Sequence, residues 1–489
     1  MTAPKVLLDT NIVIAHVNDE DVDNINAEAA HQLIDLVLRL GFIPTVSHGT
    51  VSDFDRVEGA RQQRRYDRLK HYLVLEGVPL NPDVTEVFPW APRVQDCADM
   101  EVLSAHASGV SSWLVTEDRR MRRRAERADL APTLSIQDAL DFFSNLLDPG
   151  LDHVPDANQV EAYRLNLSSP FFDTLKADYL GFENWWRSKV VAGGRTCLAL
   201  GDEESFEGLA VLKPELDQHP HGLGSSVLKV CTFKVEDGQA GNRRGELLLR
   251  AVIDHARHKH FQQLYLSALE DKEPLRNWLP RFGFSELEDR NEKGEILFVK
   301  DLVPGANLAT LHPLEVAKRY GPGVVRVERA YAVPIQPQFH RLLFPDIEEQ
   351  QAILPNEPCG NAIRKAYLSR SGIKRLVPGD LLVFIRTGGK GLTGPTAVGV
   401  VESVDRSDDP SEIAEAVTGR TVYSYRDIQK LCDLSSVLSV RFRFDRRVDK
   451  IWSMADFATH AGMATAPQSI AKFSEEGTCW IRHQLDASL

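Results

Sequence analysis

The stretch Lys5-Val-Leu-Leu-Asp-Thr-Asn11 decides the reading of the first third of the chain. Its unbroken apolar run leaves no polar face, so it reads as a strand buried on both sides of a parallel sheet, closed by the carboxylate of Asp9. Open α/β sheets place their sites at such strand C-termini. Trp113-Leu-Val-Thr-Glu-Asp118 is a second run of this kind and closes on Asp118. Between them, Asp53 lies on an apparent helix start after the strand-like Phe42-Ile-Pro-Thr-Val46, and Asp99 opens the helical Asp-Met-Glu-Val-Leu-Ser-Ala-His106, with Asp96 one turn earlier. Taken singly, each aspartate reads as a cap or turn residue. Collected at one point they repel one another unless a cation neutralises them. Mg²⁺ or Mn²⁺ suits that role, because a hard ion takes oxygen ligands from a few carboxylates, water and phosphate.

The order LLDTNI, SDF, DMEVLSAH, VTED resembles the four-acid pattern of PIN-domain ribonucleases over roughly residues 4 to 145. The resemblance implies a parallel α/β/α sandwich in which metal-bound acids activate a water to attack an RNA phosphodiester. It makes Asp9, Asp53, Asp99 and Asp118 the catalytic set, with Asp9, Asp99 and Asp118 as metal ligands. Asp53 stands where Glu is more usual, and Asn11 and Thr116 match small polar positions beside the acids.

The whole chain is acidic, with net charge −13, so indiscriminate coating of nucleic acid is not expected. Arginines nevertheless gather beside the acids: Arg119, Arg120, Arg122, Arg123, Arg124 and Arg127 follow Asp118, and Arg61, Arg64, Arg65, Arg68 and Lys70 follow Asp53. Such clusters suit phosphate neutralisation, Arg119 and Arg120 being the nearest RNA contacts, although a solvated helix face accounts for them equally.

With 489 residues and 43% hydrophobic content the chain can bury several cores, and about 150 residues per domain suggests three. Turn-rich breaks at 146–157 and 301–312 place them at 1–148, 155–302 and 313–489, making an α/β multidomain chain. The N-terminus lacks a basic and apolar leader, and no run of about 18 apolar residues occurs, so the expected location is cytoplasmic. Six scattered cysteines without a Cys-x-x-Cys favour neither a disulfide framework nor a zinc cluster. His255, His258 and His260 end a predicted helix, where cations meet the favourable end of its dipole.

In the middle segment a helical stretch with Phe171-Phe172 and Trp185-Trp186 precedes strands at 196–200, 208–212 and 227–235. The last strand feeds the turn Gly238-Gln-Ala-Gly-Asn-Arg-Arg-Gly245 and then the helix 246–256. A loop of this kind offers free N–H groups and the positive end of a helix dipole, which suit a pyrophosphate. With Leu264-Tyr-Leu-Ser-Ala-Leu269 and Trp278-Leu-Pro-Arg-Phe-Gly-Phe284, this order resembles the GNAT acetyltransferases. That resemblance implies a mixed α/β sheet binding acetyl-CoA through Phe233, Val235, Gly241, Arg243, Arg244 and Gly245. Two positions depart from the family pattern: Arg243 stands where a loop glycine is expected, and Leu279 where many members carry a tyrosine acid. Glu207 and Glu236 are both candidate bases, and nothing in the spacing chooses between them.

Beyond residue 313, runs at 324–335, 380–386, 397–404 and 437–444 suggest a small β-barrel with flanking helices. Gly360-Asn-Ala-Ile-Arg-Lys-Ala-Tyr367, Pro378-Gly-Asp-Leu-Leu-Val-Phe384 and a later Gly-Val-Val-Glu resemble the PUA-like group with ASCH and EVE domains, many of which bind RNA. Asn361, Arg364, Lys365, Tyr367, Arg386 and Lys390 are the expected contacts, with Thr387 beside them; the alternative is a core Tyr367 among ordinary surface cations. Gly388-Gly-Lys-Gly391 lacks P-loop spacing and reads as a hairpin turn.

RNA is the simplest common object of the three segments. The expectation is a Mg²⁺- or Mn²⁺-dependent ribonuclease acting on structured RNA such as tRNA, coupled to an acetyl-CoA-binding acetyltransferase and an RNA-recognition module. Both resemblances recur among bacterial toxins, which implies an antitoxin or regulatory partner. Two alternatives stay open: an acetyltransferase whose outer domains only recruit RNA, and a non-catalytic RNA-binding scaffold.

Overall fold

The computed structural model describes all residues except 1–2, 18–26, 57–59, 89–92, 131, 149–156, 217–220, 237–241, 306–307, 345–361, 389–392, 449–450 and 487–489. The side chains of 17, 60, 61, 68, 94, 95, 242 and 243 are likewise outside the description. Two compact units result: Met1–Asp152 with Asp405–Ser439, and His153–Val404 with Val440–Leu489. Among the described residues no helix is long and apolar enough to cross a membrane.

The first unit runs β1 (Lys5–Leu8), α1 (Thr10–Val17), α2 (Ala27–Arg39), β2 (Ile43–Ser47), α3 (His48–Phe54), α4 (Ala60–Leu69), β3 (Leu73–Leu75), α5 (Pro82–Glu86), α6 (Val94–Ala107), β4 (Trp113–Val115), α7 (Arg119–Arg127), β5 (Thr133–Leu134) and α8 (Ile136–Leu147). Its five strands lie in the order β3-β2-β1-β4-β5 and all pair in parallel. From β1 the chain winds one way to β3, and β4 takes it the other way. The loops leaving β1 and β4 therefore open a crevice at the switch point. Val6, Leu7, Leu8, Trp113, Leu114 and Val115 are fully buried, as the unbroken apolar runs require.

Two helix boundaries differ from the sequence reading. Asp53 lies in the last turn of α3 rather than at its start, because the helix begins directly after β2. Asp99 lies one turn inside α6, which starts at Val94 with the Asp96 carboxylate accepting the Arg93 N–H at 3.0 Å. Gly49 brings these helices together: a Cβ there would stand 2.7 Å from the Ala98 carbonyl oxygen.

The second unit begins with β6 (Ala157–Val160), α9 (Asp173–Asp178), α10 (Phe182–Trp185), β7 (Thr196–Gly201), β8 (Phe206–Glu215), β9 (Val227–Val235), α11 (Asn242–His258), β10 (Gln263–Ala268), α12 (Glu273–Trp278), β11 (Ser285–Arg290) and β12 (Ile296–Asp301). The sheet order is β11-β12-β10-β9-β8-β7-β6, antiparallel except for the β9–β10 pair. Leu248, Val252 and Ile253 of α11 pack on Leu228, Val230, Leu264 and Leu266. Phe171, Phe172, Phe182 and Trp186 cover the opposite face over Cys197, Ala199, Leu209 and Val211.

The chain continues through α13 (Pro313–Arg319), β13 (Ala330–Ile335), α14 (Pro337–Leu343), β14 (Arg364–Ser369), β15 (Leu381–Arg386), β16 (Gly394–Ser407), α15 (Pro410–Ala416), α16 (Tyr425–Cys432), β17 (Val437–Arg447), α17 (Met454–His460), β18 (Ala471–Lys472) and α18 (Glu475–Asp486). Here the strand order is β14-β17-β16-β15-β13-β18. This corrects the expectation of a barrel: among the described residues β14 and β18 are separate edges, and closure requires the edges to pair. The polypeptide passes between the two sheets of this unit through a tight junction. Gly283 has φ +82°, and a Cβ there would run into the carbonyls of Lys318 and Arg319. The fully buried Lys300 ammonium donates to Phe282 O at 2.8 Å and Arg319 O at 2.7 Å.

Asp405–Ser439, which includes α15 and α16, groups with the first unit although the sequence reading sets it within 313–489. The Trp113 indole N–H donates to Thr418 Oγ1 at 2.9 Å, and Tyr425 meets Phe42 edge-on at 4.8 Å between ring centres. Phe42 stacks on Trp113, and Phe142 and Phe143 complete the aromatic cluster.

Candidate active sites

In the crevice of the first unit, β1 ends at Asp9, whose N–H donates to Val115 O at 3.0 Å and ties it to β4. The buried Asp9 carboxylate accepts from Thr10 N at 2.7 Å, Asn11 Nδ2 at 2.8 Å and Thr116 Oγ1 at 2.6 Å. Thr10 Oγ1 in turn donates to Asp53 Oδ2 at 3.0 Å, while Arg56 pairs with Asp53 Oδ1 at 2.6 Å. Asp118 is the N-cap of α7, its Oδ1 accepting from Arg120 N at 2.6 Å and Met121 N at 3.2 Å. Glu117 turns to another task, accepting the Ile136 N–H at the start of α8 at 2.7 Å.

The four aspartates share one electrostatic neighbourhood. Burial pushes the Asp9 carboxyl up to about 6 against the opposing hydrogen bonds, and Asp118 and Asp53 add to the rise. Asp99 is pushed up to about 7 by burial, Asp9 and Asp118, with Arg124 acting against them. Carboxylates that discourage each other's ionisation are the donor set a hard divalent ion relieves. Among the described residues, no three His, Cys, Asp or Glu side chains close around one point. Carboxylate oxygens are the donors that Mg²⁺ or Mn²⁺ takes, commonly a few of them with water completing the shell.

A second site lies in the other unit, where β9 and β10 part. Their parallel register runs from Val227↔Gln263 to Val230↔Leu266. At Val211/Leu212 the β8–β9 register shifts, leaving Cys231 as an extra residue. Such a bulge bends and twists its strand. Leu228, Val230 and then Phe233 consequently face the α11 side, an odd step that no regular strand makes. Beyond Val230 the described pairing of β9 is with β8 alone. Phe233, Val235, Gly245 and Trp278 meet here: Phe233 and Trp278 are 6.1 Å apart between ring centres, and a Cβ on Gly245 would lie 3.6 Å from the indole. Arg244 is buried and ion-paired with Glu207, which commits one expected phosphate ligand and one candidate base to each other. Gly241 and the Arg243 side chain fall outside the description. Leu279 is fully buried in the core.

Residues 5–120 match the PIN domain family model. The PIN-like match spans β1 to the first turn of α7 and so contains all four aspartates. A comparison with curated proteins finds no match. Among solved structures, similar ones include a GNAT family acetyltransferase from Elizabethkingia anophelis with acetyl-CoA bound, at 17% identity over 31% of this chain and 99% of that one, with TM-score 0.22. An N-acetyltransferase from Staphylococcus aureus shares 13% identity over 30% of this chain and 98% of its own, with TM-score 0.24. NAA60 from Arabidopsis thaliana in complex with acetyl-CoA shares 15% over 30% and 97%, with TM-score 0.23.

Of the expected RNA contacts, Arg119 and Arg120 are exposed in the first turn of α7, beside the PIN-like acids. The sheet places two others in the interior, which departs from both readings of Lys365 and agrees with the core alternative for Tyr367. Lys365 is 1% exposed and donates to Leu343 O at 2.8 Å, and the Tyr367 hydroxyl donates to Pro334 O at 2.7 Å within the core. Strand β14 is buried along most of its length, so neither side chain meets solvent. Arg364 pairs with Glu402 at 2.8 Å, Arg386 is half-buried at the end of β15, and Asn361 and Lys390 lie outside the described residues. Arg65, counted with the phosphate-directed cations, is instead buried against Phe54 at 5.4 Å from its ring centre. Sequence reasoning missed Thr10 beside Asp53 and the pairing of Arg124 with Asp96 and Asp99, because those contacts join different helices, and it missed the local i,i+3 pair of Arg56 with Asp53.

Proposed function

We propose that the first unit is a divalent-metal-dependent ribonuclease acting on structured RNA, with tRNA as the substrate to try first. What supports this reading is that Asp9 follows β1 and Asp118 follows β4 at the switch point of the parallel sheet, inside the segment matching the PIN family, with Asp53 acting electrostatically on Asp9, and Asp9 and Asp118 on Asp99. Asp9, Asp99 and Asp118 would hold Mg²⁺ or Mn²⁺, with Asp53 beside them. Such an ion supplies Lewis-acid polarisation of the phosphodiester and a water of lowered pKa. Thr10, Asn11 and Thr116 hold the Asp9 carboxylate by donating to it. Arg119 and Arg120 offset phosphate charge as the RNA arrives. Cleavage of tRNA or total RNA in Mn²⁺ that disappears in both Asp9→Asn and Asp118→Asn supports the reading; cleavage that survives them, or none from folded wild type, overturns it.

A second activity is favoured by the splay of β9 from β10. The edge of β9 beyond Val230, bordered by Phe233, Val235 and Gly245, suits the extended amide-bearing arm of acetyl-CoA, and the N-terminus of α11 follows directly for its pyrophosphate. Acetyl transfer to the same RNA, its aminoacyl group or an associated protein would follow. Calorimetric titration with acetyl-CoA tests the binding, and a flat isotherm removes the transferase reading. In a toxin role the nuclease would need a neutralising protein partner, which co-purification under native conditions would reveal.

A further inference from the structure

Arg124 sits on α7 two turns after Asp118 and holds two acids of α6 at once. Its Nη1 donates to Asp99 Oδ2 at 3.0 Å and its Nη2 to Asp96 Oδ1 at 2.7 Å. The guanidinium carbon lies 3.9 Å from the centre of the Phe88 ring, and the side chain is 17% exposed. Asp96 cannot swing away without losing the Arg93 N–H at the start of α6. The arrangement thus has a fixed ring, a fixed counter-charge and a planar fork between them, and Asp99 hangs from the free arm of the fork.

We propose that Arg124 is a positioning residue for the PIN-like pocket, fixing the Asp99 carboxylate through one oxygen while Asp96 balances the guanidinium charge. The inference rests on the nuclease reading and deepens it. An arginine beside a cation site would ordinarily repel the cation. Two carboxylates on one guanidinium leave a net negative cluster, so the fork can orient Asp99 without cancelling its attraction for a metal. Lysine could not replace it, because an ammonium is a point donor without the planar fork. Partners of metal-binding groups in this position set the affinity of the ligand they orient.

The test uses full-length protein stripped with EDTA and titrated calorimetrically with MnCl₂ alone, with the thermal midpoint of each metal-free variant measured separately. Arg124→Met is expected to weaken Mn²⁺ binding roughly 10–100-fold in folded protein, with no restoration in Arg124→Lys. Asp96→Asn, which keeps the guanidinium on Phe88, is expected to weaken binding as well, since the unbalanced charge then faces the metal. Unchanged or tighter binding in a folded Arg124→Met variant overturns the inference, because it would make Arg124 a bystander or a stand-in for the ion. If Arg124→Met does not fold, wild-type affinity in Asp96→Asn overturns it instead. Wild type that binds no Mn²⁺ defeats the nuclease reading itself and this inference with it.

Discussion

The hydroxyl of Thr116 donates to the Asp9 carboxylate at 2.6 Å, and the same oxygen accepts the Asp118 N–H at 3.0 Å. One fully buried side chain thereby joins the acid after β1 to the acid after β4. Thr116→Val keeps the shape and removes the link, leaving a backbone N–H without its acceptor. The expected loss is about 1–3 kcal/mol in urea unfolding, together with a further rise of the Asp9 pKa and weaker Mn²⁺ binding near neutral pH. Wild-type stability and affinity in this variant would refute the linkage.

Asp9 and Asp99 also set a pH dependence. Their folded pKa values of about 6 and about 7 lie above the ordinary 3.8, so between those limits the folded state binds more protons. Their stabilising contribution is complete below the unfolded value and is lost as pH rises through about 6 to 7. A divalent ion takes the ionised form, so its affinity should climb across the same interval and its presence should flatten the decline. Melting curves in EDTA and in Mn²⁺, with Asp9→Asn as reference, isolate this from Glu415, which burial and Glu412 also raise to about 7. An Asp9-dependent stability that increases with pH in EDTA would contradict the assignment.

Gly49 offers a steric test. Because a Cβ would press on the Ala98 carbonyl at 2.7 Å, Gly49→Ala must push α3 from α6 and part Asp53 from Asp99. We expect a loss of about 1–3 kcal/mol and reduced metal-dependent cleavage. A variant as stable and active as wild type would show that the helices yield without cost.

Much of the PIN-like pocket was legible because its acids close apolar runs: buried strands must be apolar throughout, and Asp9 and Asp118 are where those runs stop. Arg124 was legible only as one cation among many. Nothing along the chain tells which arginine of Arg119–Arg127 turns inward, since Asp96 and Asp99 reach it across two helices. Lys365 misled for a related reason: a lysine in a strand reads as surface, yet its stem can lie in the core when a carbonyl such as Leu343 O accepts from its Nζ. Closure of a barrel depends on strand pairing, which alternating runs do not specify, and among the described residues no closed barrel is found. Helices α15 and α16 form an excursion between β16 and β17, and the sequence reading sets them within 313–489 because their partners lie some three hundred residues earlier.

That excursion can be tested at two points. Thr418→Val removes the acceptor of a buried indole N–H and should cost about 1–3 kcal/mol. Tyr425→Ala empties an aromatic contact on Phe42 and should cost more, about 3–5 kcal/mol by analogy with other large aromatic truncations. Both losses should appear in the transition that also abolishes Mn²⁺ binding. Unfolding of that transition unaltered by either change would show that the segment rests on the first unit without supporting it.

The Trp113–Thr418 bond spans 305 residues, so the strand leading to Thr116 and Asp118 waits for a partner made much later. At about 5–20 residues per second, the ribosome needs roughly 15–60 s to reach it. A nascent chain therefore carries its four aspartates well before the segment that packs on Trp113 has been made.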